Sequence, residues 1–242
     1  CMLHGGIRVD RALSNNTKLT PLRIRSRDFV PEAVGMILYY IATSQSLETM
    51  YLGGDEFYQA VADNARIQDL QLYFCHNEVI SLLALMEAKR LSLRKLNLTW
   101  FSDADHAVVR NIVRAITAAS ALEHLKLSFS VFQWRLIAQV FKELVHSPSI
   151  RILHCEQKLL EQPTPEVIAN FSNVLRNLTS LTEVSMDLNE WSDSEILLDA
   201  VFSRMLKVTL NSVEGEVRST AVARSLSQGT VEELTLGFCN IG

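Results

Sequence analysis

The sequence predicts an α/β solenoid, one parallel sheet laid down a strand at a time with a helix after each strand. Three observations predict it. A short pattern (apolar, two variable, apolar, one variable, apolar) recurs nine times along the 242 residues. Stretches with the 3.6-residue periodicity of amphipathic helices lie between its occurrences. No single strand–helix unit can bury both of its faces alone, so neighbouring units must stack and share a core.

Taken in order, the strand segments are LTPLRI (19–24), LETMYL (47–52), IQDLQL (67–72), LRKLNL (93–98), LEHLKL (122–127), IRILHC (150–155), LTEVSM (181–186), MLKVTL (205–210) and VEELTL (231–236). Successive starts lie between 20 residues (Leu47 to Ile67) and 31 residues (Ile150 to Leu181) apart. In 107–119, Val108, Ile112, Val113 and Ile116 fall on one helical face, and in 166–177 Val167, Phe171, Val174 and Leu175 do the same. Thr164-Pro165-Glu166 supplies a capping hydroxyl, a first-turn proline and an acid near the positive helix end. Asp103 and Asp105 are expected to cap the helix after the fourth strand.

From about Leu13 to Gly242 these units resemble the leucine-rich repeat family, in its long, helix-containing form found in ribonuclease inhibitor. VEELTLGFCNI carries the family pattern through Cys239 and Ile241, while ALSNNTKL (12–19), VLRNLTSL (174–181) and SLSQGTV (225–231) resemble its link from helix end to next strand. The family's Asn or Cys position reads Arg27, Asp55, Cys75, Phe101, Ser130, Lys158, Asn189, Val213 and Cys239, a degenerate ladder. The resemblance implies a leucine-rich repeat solenoid, a horseshoe with the parallel β-sheet on its concave face and helices on its convex face. Residues 1–242 read as a single array of about nine units, a fragment of a longer one. A compact α/β domain is the structural rival.

The bulk numbers bound the function. A net charge of −4 and a pI of about 5.9 give no global positive field, so no nucleic-acid partner is expected. The longest apolar run, around Val34 to Ala42, is too short to cross a bilayer, so no membrane is expected. No secretory signal is visible in a chain that opens on Cys1, and the location read is intracellular, cytoplasmic. Cys75, Cys155 and Cys239 fall three units apart, about 15 Å from one to the next, whereas a disulfide needs Cα atoms within about 7 Å. They read as reduced core thiols, and no pair has zinc-site spacing, so neither metal nor cofactor is expected. Glycosylation triplets at Asn15, Asn97 and Asn177 do not alter that reading.

Residues 53–57 spell GGDEF, the signature string of diguanylate cyclases. The companion segment of that family has only a poor counterpart in Asp10 to Thr17, which keeps Asp10 and Asn16 and lacks the Phe, the Lys and the second acid. The string also fits the repeat frame, with Leu52 closing a strand, Gly53-Gly54 turning and Asp55 starting toward a helix. Cyclase activity is therefore the remote alternative. Nucleophile-elbow, P-loop, dinucleotide and zincin motifs do not occur, and no catalytic residue is assigned. His124 and His154 are expected on neighbouring strands facing one side, with no acid in the same frame.

Alternation along a strand points the variable positions away from the core. The central row reads Arg23, Tyr51, Gln71, Asn97, Lys126, His154, Ser185, Thr209 and Thr235. One flank carries Tyr73, Thr99 and Glu156, the other Lys95, His124 and Glu183. Aromatic and cationic residues dominate interface energetics, so Tyr51, Tyr73, Asn97, Lys126 and His154 are the expected partner-binding residues. Trp100, Phe101, Phe129, Phe132 and Trp134 mark the loops of units four and five as packing or a loop-side patch. The function expected is a non-catalytic interaction module (recognition, adaptor or scaffold) with a protein partner and no small-molecule substrate. The alternative is an enzyme regulator resembling the Ran-type GTPase-activating repeat proteins, whose arginine would map only loosely to Arg25 or Arg27.

Overall fold

The nine pattern segments form nine strands: β1 (Pro21–Arg25), β2 (Thr49–Gly53), β3 (Asp69–Phe74), β4 (Lys95–Trp100), β5 (His124–Phe129), β6 (Ile152–Gln157), β7 (Glu183–Asp187), β8 (Lys207–Asn211) and β9 (Glu233–Gly237). Every neighbouring pair is parallel, and the sheet order is the chain order from β1 to β9. The computed structural model describes residues 16–25, 31–53, 55–74, 78–100, 106–129, 134–157, 164–187, 195–211, 223, 226–227 and 230–237. A compact doubly wound domain reverses its strand order at a switch point. This sheet has no reversal, so the solenoid is the architecture and the rival falls.

Seven helices are described: α1 (Pro31–Thr43), α2 (Tyr58–Asp63), α3 (Val79–Ala88), α4 (His106–Ala118), α5 (Trp134–Leu144), α6 (Pro165–Asn177) and α7 (Glu195–Phe202). Each packs on the helix before and after it, as the strands do. Packed helices need about 8–10 Å between axes, while paired strands need about 4.8 Å. A stack that satisfies both spacings bends with its strands inside. The fold is a leucine-rich repeat solenoid with the sheet on the concave face. The short step from Leu47 to Ile67 leaves room for only six helical residues, hence the brevity of α2.

The core lies between sheet and helices. The last two apolar positions of each pattern point into it from the strands, as Met50 and Leu52, Leu96 and Leu98, or Leu125 and Leu127, all almost fully buried. The first position is not in the strand. Leu47, Ile67, Leu93, Leu122, Ile150 and Leu181 sit just ahead of it, in the turn from the helix, and are equally buried. On α4 the inward face is Val109, Ile112, Val113 and Ile116, and Val108 is only half-buried. The i, i+3, i+4, i+7 spacing wins over i, i+4, i+5, i+8 because it centres the stripe on the sheet. On α6 all four expected residues are buried.

Thr164 caps α6 as expected, its Oγ1 accepting from the Val167 N–H at 3.4 Å, with Pro165 in the first turn. Thr164→Ala should cost about 1 kcal/mol of stability, read from urea denaturation. Asp103 and Asp105 lie outside the described residues, as do the aromatics Phe101 and Phe132 and the side chains of Trp100, Phe129 and Trp134. Of the degenerate ladder only Asp55 is described.

A different ladder holds the opposite edge, where helices return to strands. The last carbonyls of a helix have no partner within it. Here side chains of the next unit reach back to carbonyls of the one before. Ser46 Oγ donates to Leu19 O (3.0 Å), and Asn64 Nδ2 donates to Ile41 O (2.7 Å) and Ser44 O (2.9 Å). Lys89 Nζ donates to Asn64 O, Ser180 Oγ to Ile150 O (2.7 Å), and Thr230 Oγ1 to Phe202 O. Lys89 is 1% exposed, and burial pushes its amine down to about 8, the carboxylate of Asp63 working the other way.

Candidate functional site

Parallel pairing in unbroken register aligns the variable positions into rows. The central row is realised pair by pair: Arg23 opposite Tyr51, Tyr51 opposite Gln71, Gln71 opposite Asn97, Asn97 opposite Lys126, and Lys126 opposite His154. A shallow trough of about 230 Å³ crosses β2 to β6 on this face and includes Tyr51, Gln71, Asn97, Lys126 and His154 in its lining. Four of the five expected residues thus meet in one depression. Tyr73 stands apart in the flanking row opposite Thr99, where its hydroxyl accepts from Gln71 Nε2 at 2.8 Å.

The charges on the face answer one another across strands. Lys95 Nζ lies 3.3 Å from Asp69 Oδ2, Lys207 Nζ lies 3.0 Å from Glu233 Oε2, and Lys126 Nζ bonds Glu156 Oε1, whose Oε2 accepts from Ser128 Oγ at 3.1 Å. Arg23 lies over the Tyr51 ring, 4.8 Å from its centroid. Exposed pairs of this kind contribute at most about 1 kcal/mol each. They place a carboxylate beside each of the trough's two lysines, Lys95 and Lys126. Lys95, Lys126 and His154 each stand beside a carboxylate of an adjacent strand. Opposite charges at one pattern position in adjacent units, as Asp69 with Lys95 or Lys207 with Glu233, are the signal for two of the ion pairs.

His124 and His154 do not form a pair. In register His124 faces Ile152, and His154 Nε2 lies 3.6 Å from Glu183 Oε1, an acid from outside its row. That acid sits diagonally on β7, two positions out of register, where comparing like positions overlooks it. Partial burial pushes the His154 imidazole below its ordinary value, with Glu183 opposing and Lys126 assisting. Burial alone would raise the Glu156 carboxyl, but hydrogen bonding and charge from Lys126, then Ser128 and His154, hold it below the usual carboxylate range.

Asn97, the midpoint of the trough, is half-buried, and its Oδ1 is fully buried with no hydrogen bond from any described residue. No cluster of three potential metal ligands occurs among the described residues. Of the GGDEF string, Gly53 ends β2, Gly54 lies outside the described residues, and Asp55, Glu56 and Phe57 form the bend and turn that lead into α2. Asp55 Oδ2 accepts from Ser81 Oγ at 2.9 Å, Asp55 O accepts from the Tyr58 N–H at 3.0 Å, and Phe57 lies in the core. Arg27 and the Arg25 side chain, the loose counterparts of a regulatory arginine, lie outside the described residues. So do Cys75 and Cys239, whereas Cys155 is a buried free thiol within β6, two residues before its end. No described helix is long and apolar enough to cross a membrane.

No family model and no curated protein matches the chain. Among solved structures, a chain of the TLR13-ssRNA13 complex is similar at 13% identity and a TM-score of 0.39, over 92% of this chain and 35% of that one. This chain therefore spans about a third of that solved chain's length.

Proposed function

We propose that the chain is a non-catalytic recognition module that binds a protein partner on its concave strand face, with Tyr51, Tyr73, Asn97, Lys126 and His154 as the principal contacts. The observation that carries this reading is the trough itself, into which strands from five successive units deliver side chains. Such a surface can be varied unit by unit without disturbing the stack. The helix-containing units support a ribonuclease-inhibitor-like subtype forming one array. The buried free thiol of Cys155 is in keeping with a reducing, intracellular location.

Tyr51 and His154 line opposite reaches of the trough, so their simultaneous truncation removes anchors without touching the core. The test is capture of a partner by the immobilised chain, its identification, and titration against Tyr51→Ala/His154→Ala. Truncating interface anchors costs about 2 kcal/mol or more, so affinity should fall about 30-fold or more with the circular dichroism unchanged. A partner bound with undiminished affinity by the variant would exclude the concave face as its site.

A further inference from the structure

We propose that the β5–β7 end of the concave face takes one arginine side chain of the partner. The proposal rests on the concave-face reading and names the contact that anchors it. Ile152 on β6 lines the trough and is half-buried, at the pattern position that holds Asp69, Lys95 and Glu183 in other units. An aliphatic side chain thus stands on the outer side of the sheet among polar neighbours. In register it has His124 of β5 on one side and Glu183 of β7 on the other, on strands about 4.8 Å away. His154, two residues along β6, faces the same way and lines the same depression.

Glu183 gives this patch its charge. Its side chain is 30% exposed, and among the described residues its ion-pair partner is the His154 imidazole alone, at 3.6 Å. Lys207, opposite Glu183 in register, lies 3.0 Å from Glu233 instead, and Lys126 bonds Glu156. Burial pushes the His154 imidazole below its ordinary value, which makes it a poor standing counter-charge. A cation from outside therefore finds an accessible carboxylate that holds no lysine or arginine of its own. Arginine answers each feature of the patch. Its methylene stem covers Ile152. Its planar guanidinium stacks on aromatic faces such as the imidazole rings, and its paired N–H groups match a carboxylate. Lysine would meet the charge but offers no plane to the rings. Tryptophan or tyrosine would cover Ile152 but leave the Glu183 carboxylate desolvated without a cation.

The experiment selects a phage-displayed random peptide library on the whole chain, then titrates the enriched peptides by fluorescence anisotropy. Titrations use wild type, Glu183→Gln, Ile152→Ser and Tyr51→Ala/His154→Ala, each checked for unchanged circular dichroism. The expected peptides share an arginine. Replacing it by lysine, or Glu183 by Gln, should each cost about tenfold or more in affinity. Ile152→Ser, which removes the apolar floor, should weaken the same peptides. A second selection, on Glu183→Lys, should no longer enrich arginine. Peptides that lack a shared arginine or are indifferent to Glu183→Gln, yet are lost by Tyr51→Ala/His154→Ala, would overturn the proposal and leave the concave face as the site. Peptides indifferent to every variant would sink both. No enrichment, or enrichment of aromatic or acidic residues in place of arginine, would also overturn the proposal.

Discussion

Phe171→Ala is expected to lower the unfolding free energy by about 3–5 kcal/mol, as large-to-small changes at fully buried aromatic positions do. Phe171 on α6 is fully buried and stacks on Phe141 of α5, with ring centroids 4.1 Å apart and planes inclined by 13°. The pair joins two adjacent units, so the loss falls on an interface between repeats as well as on one unit. In a stacked array stability is a sum of unit and nearest-neighbour terms. Weakening one interface should broaden the urea transition or split it in two. Phe171→Leu, which refills most of the volume, should restore a single transition. A loss below about 1 kcal/mol for the alanine variant would mean that the site collapses around the gap.

The second large effect is a dependence of stability on pH that originates at Lys89. In the folded chain its buried amine titrates at about 8, and in the unfolded chain near the ordinary 10.5. Below about pH 8 the amine is charged in both states, and folding bears the full cost of burying that charge. Between 8 and 10.5 the unfolded chain holds a proton that the folded chain has released, so stability rises with pH. The whole rise should reach about 3 kcal/mol, because each tenfold difference in proton affinity between the two states is worth about 1.4 kcal/mol. Lys89→Met should lack it. Cys155 acts in the opposite sense at alkaline pH, because burial raises its thiol pKa well above the ordinary value. Both proteins keep Cys155, so the difference between their curves isolates Lys89. Parallel curves would show that the amine is solvated in the folded state.

Much of this fold is legible in the sequence for a physical reason. A stacked parallel array repeats one local solution, so the period of the apolar positions specifies strand order and register together. The central row from Arg23 to Thr235 follows from nothing more than aligned patterns. What escaped is what one unit does to the next. Asn64 and Lys89 read as ordinary polar residues after a helix, and only the stack shows them reaching back to carbonyls of the preceding unit. The pairing of Lys126 with Glu156 and of His154 with Glu183 runs diagonally between strands, which row-by-row comparison cannot see. On α3, Val-Ile-Ser-Leu-Leu-Ala-Leu-Met is apolar on every side, so periodicity cannot choose its inward face. The structure buries Leu82, Leu85 and Met86 and leaves Ile80 84% exposed.

The exposed Ile80, Leu91 and Tyr39 are the natural competitors of the trough for a partner's contact. Hydroxyl-radical footprinting of the chain with and without its captured partner separates the two surfaces in a single experiment. The account predicts protection of Tyr51, Tyr73 and His154 on the strands, with Tyr39, Ile80 and Leu91 oxidised as in the free chain. Protection of those three, with the strand residues unchanged, would contradict it and move recognition to the outer surface.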